Sequence, residues 1–576
     1  MKRLGSEGVV RPRRSTSLAQ VLGLWVLFSV LGLLVYGPAL DGEFISDDSH
    51  YVASNEYVHT PSLANIVAIW DPRSEVTVLV ENYAPVHLML HSMEWQFFGP
   101  SVRGYHVVNI WLHGLAAAML VVVYRRSGIS LLAATAGSAF FLLHPANVES
   151  VAWISQLKSS SALVLSLGAL LLHPRHPASA LILFGLALFA KPFAAFALVV
   201  VGLFAWMRST SAARDGEISP HGDPHWKWLF AWLAIVVAYA GMESSAFSQS
   251  AALAPPLYAD PWVRILMIFS VALRYGWMTL SGRGLSAFHE PLPTSGLLDP
   301  WVLGGVVLLL GLVAWMGLAL SKRREEGVYL AWAAISFAPL SGVVPLPYPM
   351  ADRYLYFILP GLIGALILGA TRLGRGLVDR WGLGEPWRPR FRVVLIVIAA
   401  LVLIQAGQLT HARSRVFQSA DALMLDAERN YPDGAAANTR KASRAASRGD
   451  FEGAVYYLRA ARGRGYNRVD HLLQDPAYAP MQEHPGFLEL KHEMADDWIL
   501  RLSRQPDLHH YSARALAQAY IVKDDLSAAA AVLEAASARP GPIGQALLDD
   551  VERIRAQIAF RERLEAVRSR GRKSPR

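Results

Sequence analysis

The sequence predicts an all-α polytopic membrane protein joined to a soluble domain of helical hairpins, and three observations carry that class. Apolar runs long enough, or nearly long enough, to span a bilayer recur between residues 18 and 410. Hydrophobic residues make up 53% of the 576 and charged residues only 17%, the balance of a membrane protein rather than a soluble enzyme. Beyond residue 411 the composition turns alanine-rich, charged and helix-forming.

The apolar runs fall at about 18–40, 104–124, 129–147, 151–173, 178–190, 192–207, 227–243, 262–281, 301–321, 327–345, 354–371 and 393–410. The first follows Lys2, Arg3, Arg11, Arg13 and Arg14, but it is too long for a signal-peptide core and no small-x-small site follows. An uncleaved first span after a cytoplasmic basic N-terminus (1–17) is therefore expected. Basic clusters mark inner loops. The N-terminus, Arg125-Arg126, Arg208 to Arg214, Lys322-Arg323-Arg324 and the arginines between Arg372 and Arg392 can all lie inside only if one run between 227 and 321 does not cross. The run 262–281 carries Arg264 and Arg274, and charge near mid-span is costly, so this run is expected in the interface or as a re-entrant segment. About eleven spans follow, with the N-terminus inside and the C-terminus outside.

That topology gathers the polar stretches on the outer side: the loop 41–103, the segment 144–150, the turn at Lys191-Pro192, the loop 282–300 and the segment 345–354. The first loop carries Asp41, Glu43, Asp47 and Asp48, with the Asp47-Asp48 pair held between Phe44-Ile45 and Tyr51-Val52. A carboxylate at the mouth of a membrane domain can act as a general base or hold a cation or hydroxyl; the plain alternative is a solvated acidic loop. His87, His91 and Glu94 share one helical face, which suits either a divalent metal or the polar rim of an interfacial helix. His144, Glu149 and Lys158 lie near an apolar run's end, where Glu149 and Lys158 need partners or water. Lys191 divides two apolar runs and can bind an anionic phosphate or simply snorkel. Pro345, Pro347 and Pro349 make a stiff extended approach to Asp352-Arg353-Tyr354. There Arg353 suits phosphate recognition with Asp352 orienting its guanidinium; a structural ion pair at a helix head is the alternative.

The formal net charge of +9 does not indicate nucleic-acid binding, because the arginines cluster beside apolar runs. The absence of cysteine excludes disulfides, thiolate metal sites and cysteine nucleophiles. No Walker loop, dinucleotide fingerprint, zinc-protease motif or nucleophile elbow is visible. In the C-terminal region Arg448-Gly-Asp-Phe-Glu-Gly-Ala-Val-Tyr-Tyr-Leu458 aligns with Lys523-Asp-Asp-Leu-Ser-Ala-Ala-Ala-Ala-Val-Leu533. Each follows an alanine-rich helix, as a tetratricopeptide-type hairpin requires. The domain is expected over 411–560, with breaks at Tyr431 to Gly434 and Asp475 to Gly486, and a frayed basic tail at 561–576.

In order, Phe44-Ile-Ser-Asp-Asp-Ser-His-Tyr-Val52, Asn82-Tyr-Ala-Pro85, Gly104-Tyr-His-Val-Val-Asn-Ile-Trp-Leu-His113, His144-Pro-Ala-Asn-Val-Glu-Ser-Val-Ala-Trp-Ile-Ser155, Lys191-Pro192 and Ala351-Asp-Arg-Tyr-Leu-Tyr356 form a set. The set resembles the transmembrane-and-tetratricopeptide O-mannosyltransferases and their bacterial relatives, which are GT-C glycosyltransferases. The resemblance covers most of 18–410 and implies inverting transfer of a sugar from a polyprenyl-phosphate carrier on the outer face. It implies Asp47 or Asp48 as the base, and Lys191, Arg353 and Lys158 on the carrier phosphate, supported by Asp352, His144, Glu149 and Tyr354. Ala84 stands where the family commonly has arginine, and the repeats are few, so mannose and a Ser/Thr protein acceptor do not carry over. The implied partners are the lipid-linked sugar, a protein or glycan acceptor, the bilayer and a protein bound by the repeats. A bacterial inner membrane fits the alanine- and arginine-rich composition. No cofactor is assigned; a divalent ion at His87, His91 and Glu94 is the one candidate. A transporter or flippase of lipid-linked intermediates would share the buried charges without a loop base; a scaffold would act through its repeats.

Overall fold

The computed structural model describes residues 16–215, 226–250, 260–294, 296–341, 350–381, 388–505, 508–538 and 544–572. The N-terminal basic cluster and the Pro345, Pro347, Pro349 approach lie outside the described residues, as do the side chains of 208–215 and 388–391. Every regular element among the described residues is helical. Among the described residues eight helices are long and apolar enough to cross a membrane, and a ninth crossing arises if Leu131–Leu143 and Pro145–Ala152, bent by 50°, act as one. Pro177–Ala190 and Pro192–Met207 are apolar but shorter.

Besides these two shorter helices, two further runs differ from expectation. Pro261–Ser281 is a continuous helix long and apolar enough to cross. Of the two arginines that argued against a span, Arg274 meets Ser270 Oγ at 3.4 Å and the Trp301 ring at 4.4 Å, whereas the buried Arg264 Nε has no hydrogen-bond partner among the described residues. The run 327–345 instead opens on Glu325–Phe337, only 13 residues long with Glu325 and Glu326 in its first turn, and continues as a 3-10 turn to Ser341.

The first loop is folded rather than solvated. Short helices at Glu56–His59, Leu63–Trp70, Glu75–Val80 and Pro85–Phe98 build a cap. Its own core holds Tyr51, Val52, Tyr57, Ile69, Val76 and Leu88. An Arg103–Asp41 ion pair closes the loop at its base.

The expected gathering of polar segments is found at one end of the bundle. Asp48 accepts from Ser155 N–H, Lys191 reaches Gln156 and Ser159, Arg353 pairs with Glu149, and His289 bonds Asp352.

The C-terminal helices stack as hairpins from Ala420–Asn430 onward. The last apolar helix runs to Ser414, slightly past the expected boundary. The two aligned stretches make equivalent turns. Gly449 (φ +80°) and Asp524 (φ +62°) are both left-handed, and Asp450 and Asp525 then cap the next helix through Gly453 N–H and Ala528 N–H, each at 2.9 Å. Of the expected frayed tail, the described residues 561–572 continue the helix Gly544–Arg572, whose Arg561 pairs with Asp524 at 2.5 Å; 573–576 lie outside the described residues.

Candidate active site

Asp47 and Asp48 are adjacent but occupy different worlds. Ser46 sits in the left-handed region (φ +49°), a conformation costing about 1–3 kcal/mol for a residue with a Cβ. The resulting turn drives Asp48 inward and leaves Asp47 at the surface of a cleft. Asp48 is fully buried. One carboxylate oxygen accepts from Ile45 N–H at 3.0 Å and the other from Ser155 N–H at 2.7 Å. Burial pushes its carboxyl up to about 7, against the lowering pull of those two backbone donors. Trp153 Nε1 donates to Ile45 O at 3.3 Å and braces the same turn. Asp48 therefore ties the first loop to the break between the helices Val148–Ala152 and Leu157–Leu172.

The cleft is small, with a cavity volume of about 20 Å³, and is lined by Ser46, Asp47, Trp153, Ala287, Phe288, Met350, Ala351 and Arg353. One carboxylate and one guanidinium thus share a largely apolar wall. Arg353 is held by Glu149, which pairs with its guanidinium and also accepts its backbone N–H at 2.7 Å. Trp153 and Tyr354 present ring faces to the guanidinium at 5.5 and 5.2 Å. Tyr354 in turn stacks on Phe193 at 6.1 Å.

The expected Asp352–Arg353 pairing is not what the chain makes. Neighbours in a 3-10 turn point apart, and Asp352 turns inward. It accepts from Arg413 Nη2 at 2.6 Å and from Arg413 Nε at 3.1 Å on one oxygen. The other oxygen accepts from His289 Nε2 at 2.7 Å. The acid that orients Arg353 is Glu149. His144 is structural: Nδ1 accepts from Ala146 N–H at 3.2 Å and caps the next turn, leaving Nε2–H for Thr279 O at 3.1 Å.

Lys158 and Lys191 lie behind the cleft and do not line it. Lys158 Nζ donates to Tyr51 OH at 3.1 Å and stands 4.3 Å over that ring. Lys191 Nζ donates to Ser159 Oγ at 2.6 Å and Gln156 Oε1 at 3.3 Å. Among the described residues neither lysine has a carboxylate in ion-pair range, although both are buried.

His87, His91 and Glu94 do come together, but not as metal ligands. His91 Nδ1 bonds Glu94 at 2.7 Å and the two histidine rings meet edge to face at 4.4 Å. Among the described residues no three His, Asp or Glu side chains are gathered to hold a metal, so the expected ligand set is not supported. Burial holds His87 well below its ordinary value, with His91, Lys158 and Lys191 adding to the effect.

Sequence reasoning missed Arg413, His289, Tyr51, Gln156 and Ser159. Arg413, in the last turn of the final apolar helix, carried a signal, but it reads equally as a flanking basic residue. The others are ordinary loop or helix polars whose importance arises only from their partners.

No protein-family profile matches the chain, and no solved structure matches it. A Caenorhabditis elegans protein O-mannosyl-transferase is 27% identical over 175 residues, 29% of this chain and 25% of that protein. A Drosophila melanogaster protein O-mannosyl-transferase is 28% identical over 156 residues, 26% of this chain and 18% of that protein. The chain thus spans a quarter or less of the length of these curated relatives. Together with the apolar helices, this similarity supports a membrane glycosyltransferase in general.

Proposed function

We propose that this chain is a GT-C-type, inverting glycosyltransferase that moves a sugar from a polyprenyl-phosphate carrier to a protein or glycan acceptor. The reaction takes place on the outer face of a bacterial inner membrane. The observation that carries the reading is the cleft itself, where an accessible Asp47 shares a small wall with a guanidinium already oriented by Glu149. Asp47 takes the proton from the acceptor hydroxyl, the hydroxyl oxygen bonds to the anomeric carbon, and the bond from that carbon to the carrier phosphate breaks. The leaving phosphate gathers negative charge, which Arg353 meets at the cleft and Lys158 and Lys191 meet from behind. Two buried lysines with neutral partners are costly alone and favourable beside a phosphate. Asp48 is the anchor that presents Asp47, so of the two it is not the base. The C-terminal hairpins, read as degenerate tetratricopeptide repeats, select or present the acceptor.

The test uses reconstituted vesicles with radiolabelled polyprenyl-phosphate sugars. Asp47→Asn is expected to lower turnover by about 10²–10⁴-fold, the usual scale for losing a general base, with unchanged thermal stability. Equal turnover in the native protein and Asp47→Asn would sink the assignment. No label leaving any of several donor lipids with native protein would sink the transferase reading.

A further inference from the structure

One wall of the cleft is held from two sides. The strap 286–290 contributes Ala287 and Phe288 to the lining. Ser286 N–H and His289 Nε2 tie it to Asp352 of the membrane bundle at 3.3 and 2.7 Å, and Ala287, His289 and Glu290 are tied to the C-terminal helices. Ala287 N–H donates to Asp426 Oδ2 at 2.8 Å, from the helix Ala420–Asn430. His289 Nδ1 meets Tyr431 OH at 3.0 Å, in the turn after that helix. Glu290 accepts from Ala435 N–H at 2.6 Å and Ala436 N–H at 3.2 Å, capping the helix Ala435–Ser447. A Cβ on Gly434 would come within 2.8 Å of that carboxylate, so the cap fits a glycine there.

The same helices reach the opposite wall. Asp426 also faces Arg413 Nη1, at 3.4 Å, and Arg413 holds Asp352, the residue between the lining residues Ala351 and Arg353. Both walls therefore converge on a single carboxylate of the C-terminal domain.

Resting on the glycosyltransferase reading, we infer that Asp426 and Tyr431 are positioning residues for the transfer reaction. They make the first two C-terminal helices part of the active site rather than only a platform for the acceptor. Neither touches the reacting atoms; they set where Phe288 and Arg353 stand. Because hydrogen bonds to charged groups contribute about 1.5–3 kcal/mol, losing the Asp426 carboxylate should loosen the strap on the order of tenfold or more.

The experiment reads the strap and the reaction separately, on the full chain in nanodiscs. Hydrogen exchange is followed at 284–290 in the native protein, Asp426→Ala, Asp426→Asn and Tyr431→Phe, beside Asp496→Asn as a remote control. The expected result is exchange at the strap on the order of tenfold faster in Asp426→Ala, with partial protection in Asp426→Asn, whose amide oxygen can still accept from Ala287. Tyr431→Phe, which keeps the ring against His289, should give a smaller opening at His289 and Glu290. Turnover should fall in step, through kcat rather than the KM for the donor. Native-like exchange in Asp426→Ala overturns the inference whether or not sugar is transferred. An opened strap with native kcat overturns the positioning role. A native protein that transfers no sugar overturns the underlying reading, and an exchange response would then still establish the strap's attachment to the C-terminal helices.

Discussion

Two regions at the same end of the bundle treat buried charge in opposite ways. Around the cleft two buried side chains are answered by opposite partners: Arg353 by Glu149, and Asp352 by Arg413 and His289. Behind it, Lys158 and Lys191 are buried against a phenol, a hydroxyl and an amide. Compensated pairs hold shape, because removing one partner leaves an uncompensated ion in a poorly solvating site. Uncompensated cations hold nothing together by charge; they raise the free energy of the empty site and lower it when an anion enters. Under the proposed function, the difference separates the scaffold of the cleft from the groups assigned to the carrier phosphate.

The largest expected effect comes from breaking a compensated pair. Glu149→Ala strands the Arg353 guanidinium and should cost about 3–5 kcal/mol, read as a lowered unfolding midpoint in detergent. A midpoint close to native would show that Glu149 and Arg353 are not coupled and dissolve the contrast.

Lys191→Met tests the other region. The empty variant should be as stable as the native protein or more so. The native protein gains about 2.7 kcal/mol at a hundredfold excess of polyprenyl phosphate over its Kd, and the variant much less. Equal gains in both would remove Lys191 from the anion site.

Asp48 is the exception in the compensated region, since only backbone donors answer it. Its carboxyl titrates near 7 in the folded chain against an ordinary 3.8, so between those values the folded state binds more protons than the unfolded one. Its contribution to stability is present below the lower value and is lost as pH rises through the higher, a change on the order of 4 kcal/mol. The unfolding midpoint of the native protein should therefore fall with rising pH across that window. Asp48→Asn should flatten the slope, and an unchanged slope would assign it to another group.

The smallest effect is expected from Tyr51→Phe, which removes the Lys158 acceptor at 3.1 Å and leaves the ring beneath the ammonium. A loss of about 1 kcal/mol in anion-dependent stabilisation, with little change in the empty protein, would match a neutral partner. A large destabilisation of the empty protein would mean that Tyr51 belongs to the scaffold.

The sequence by itself determined the helical class, most of the apolar helices, the gathering of polar segments at one end and the equivalence of the two C-terminal turns. These follow from local chemistry: hydropathy over some twenty residues sets a membrane helix, and a glycine or aspartate before a capping aspartate sets a hairpin turn. What only the tertiary structure decided was which groups meet. Asp48 is clamped by a backbone amide 107 residues away, Arg353 is answered by a glutamate 204 residues away, and Asp352 by an arginine 61 residues away rather than by its neighbour. The physical reason is that adjacent residues in a tight turn point apart, so a charge's partner is chosen by whatever the packed helices bring to it. Sequence proximity of Asp47 to Asp48, and of Asp352 to Arg353, could not say which neighbour turns inward; the fold buries Asp48 and Asp352.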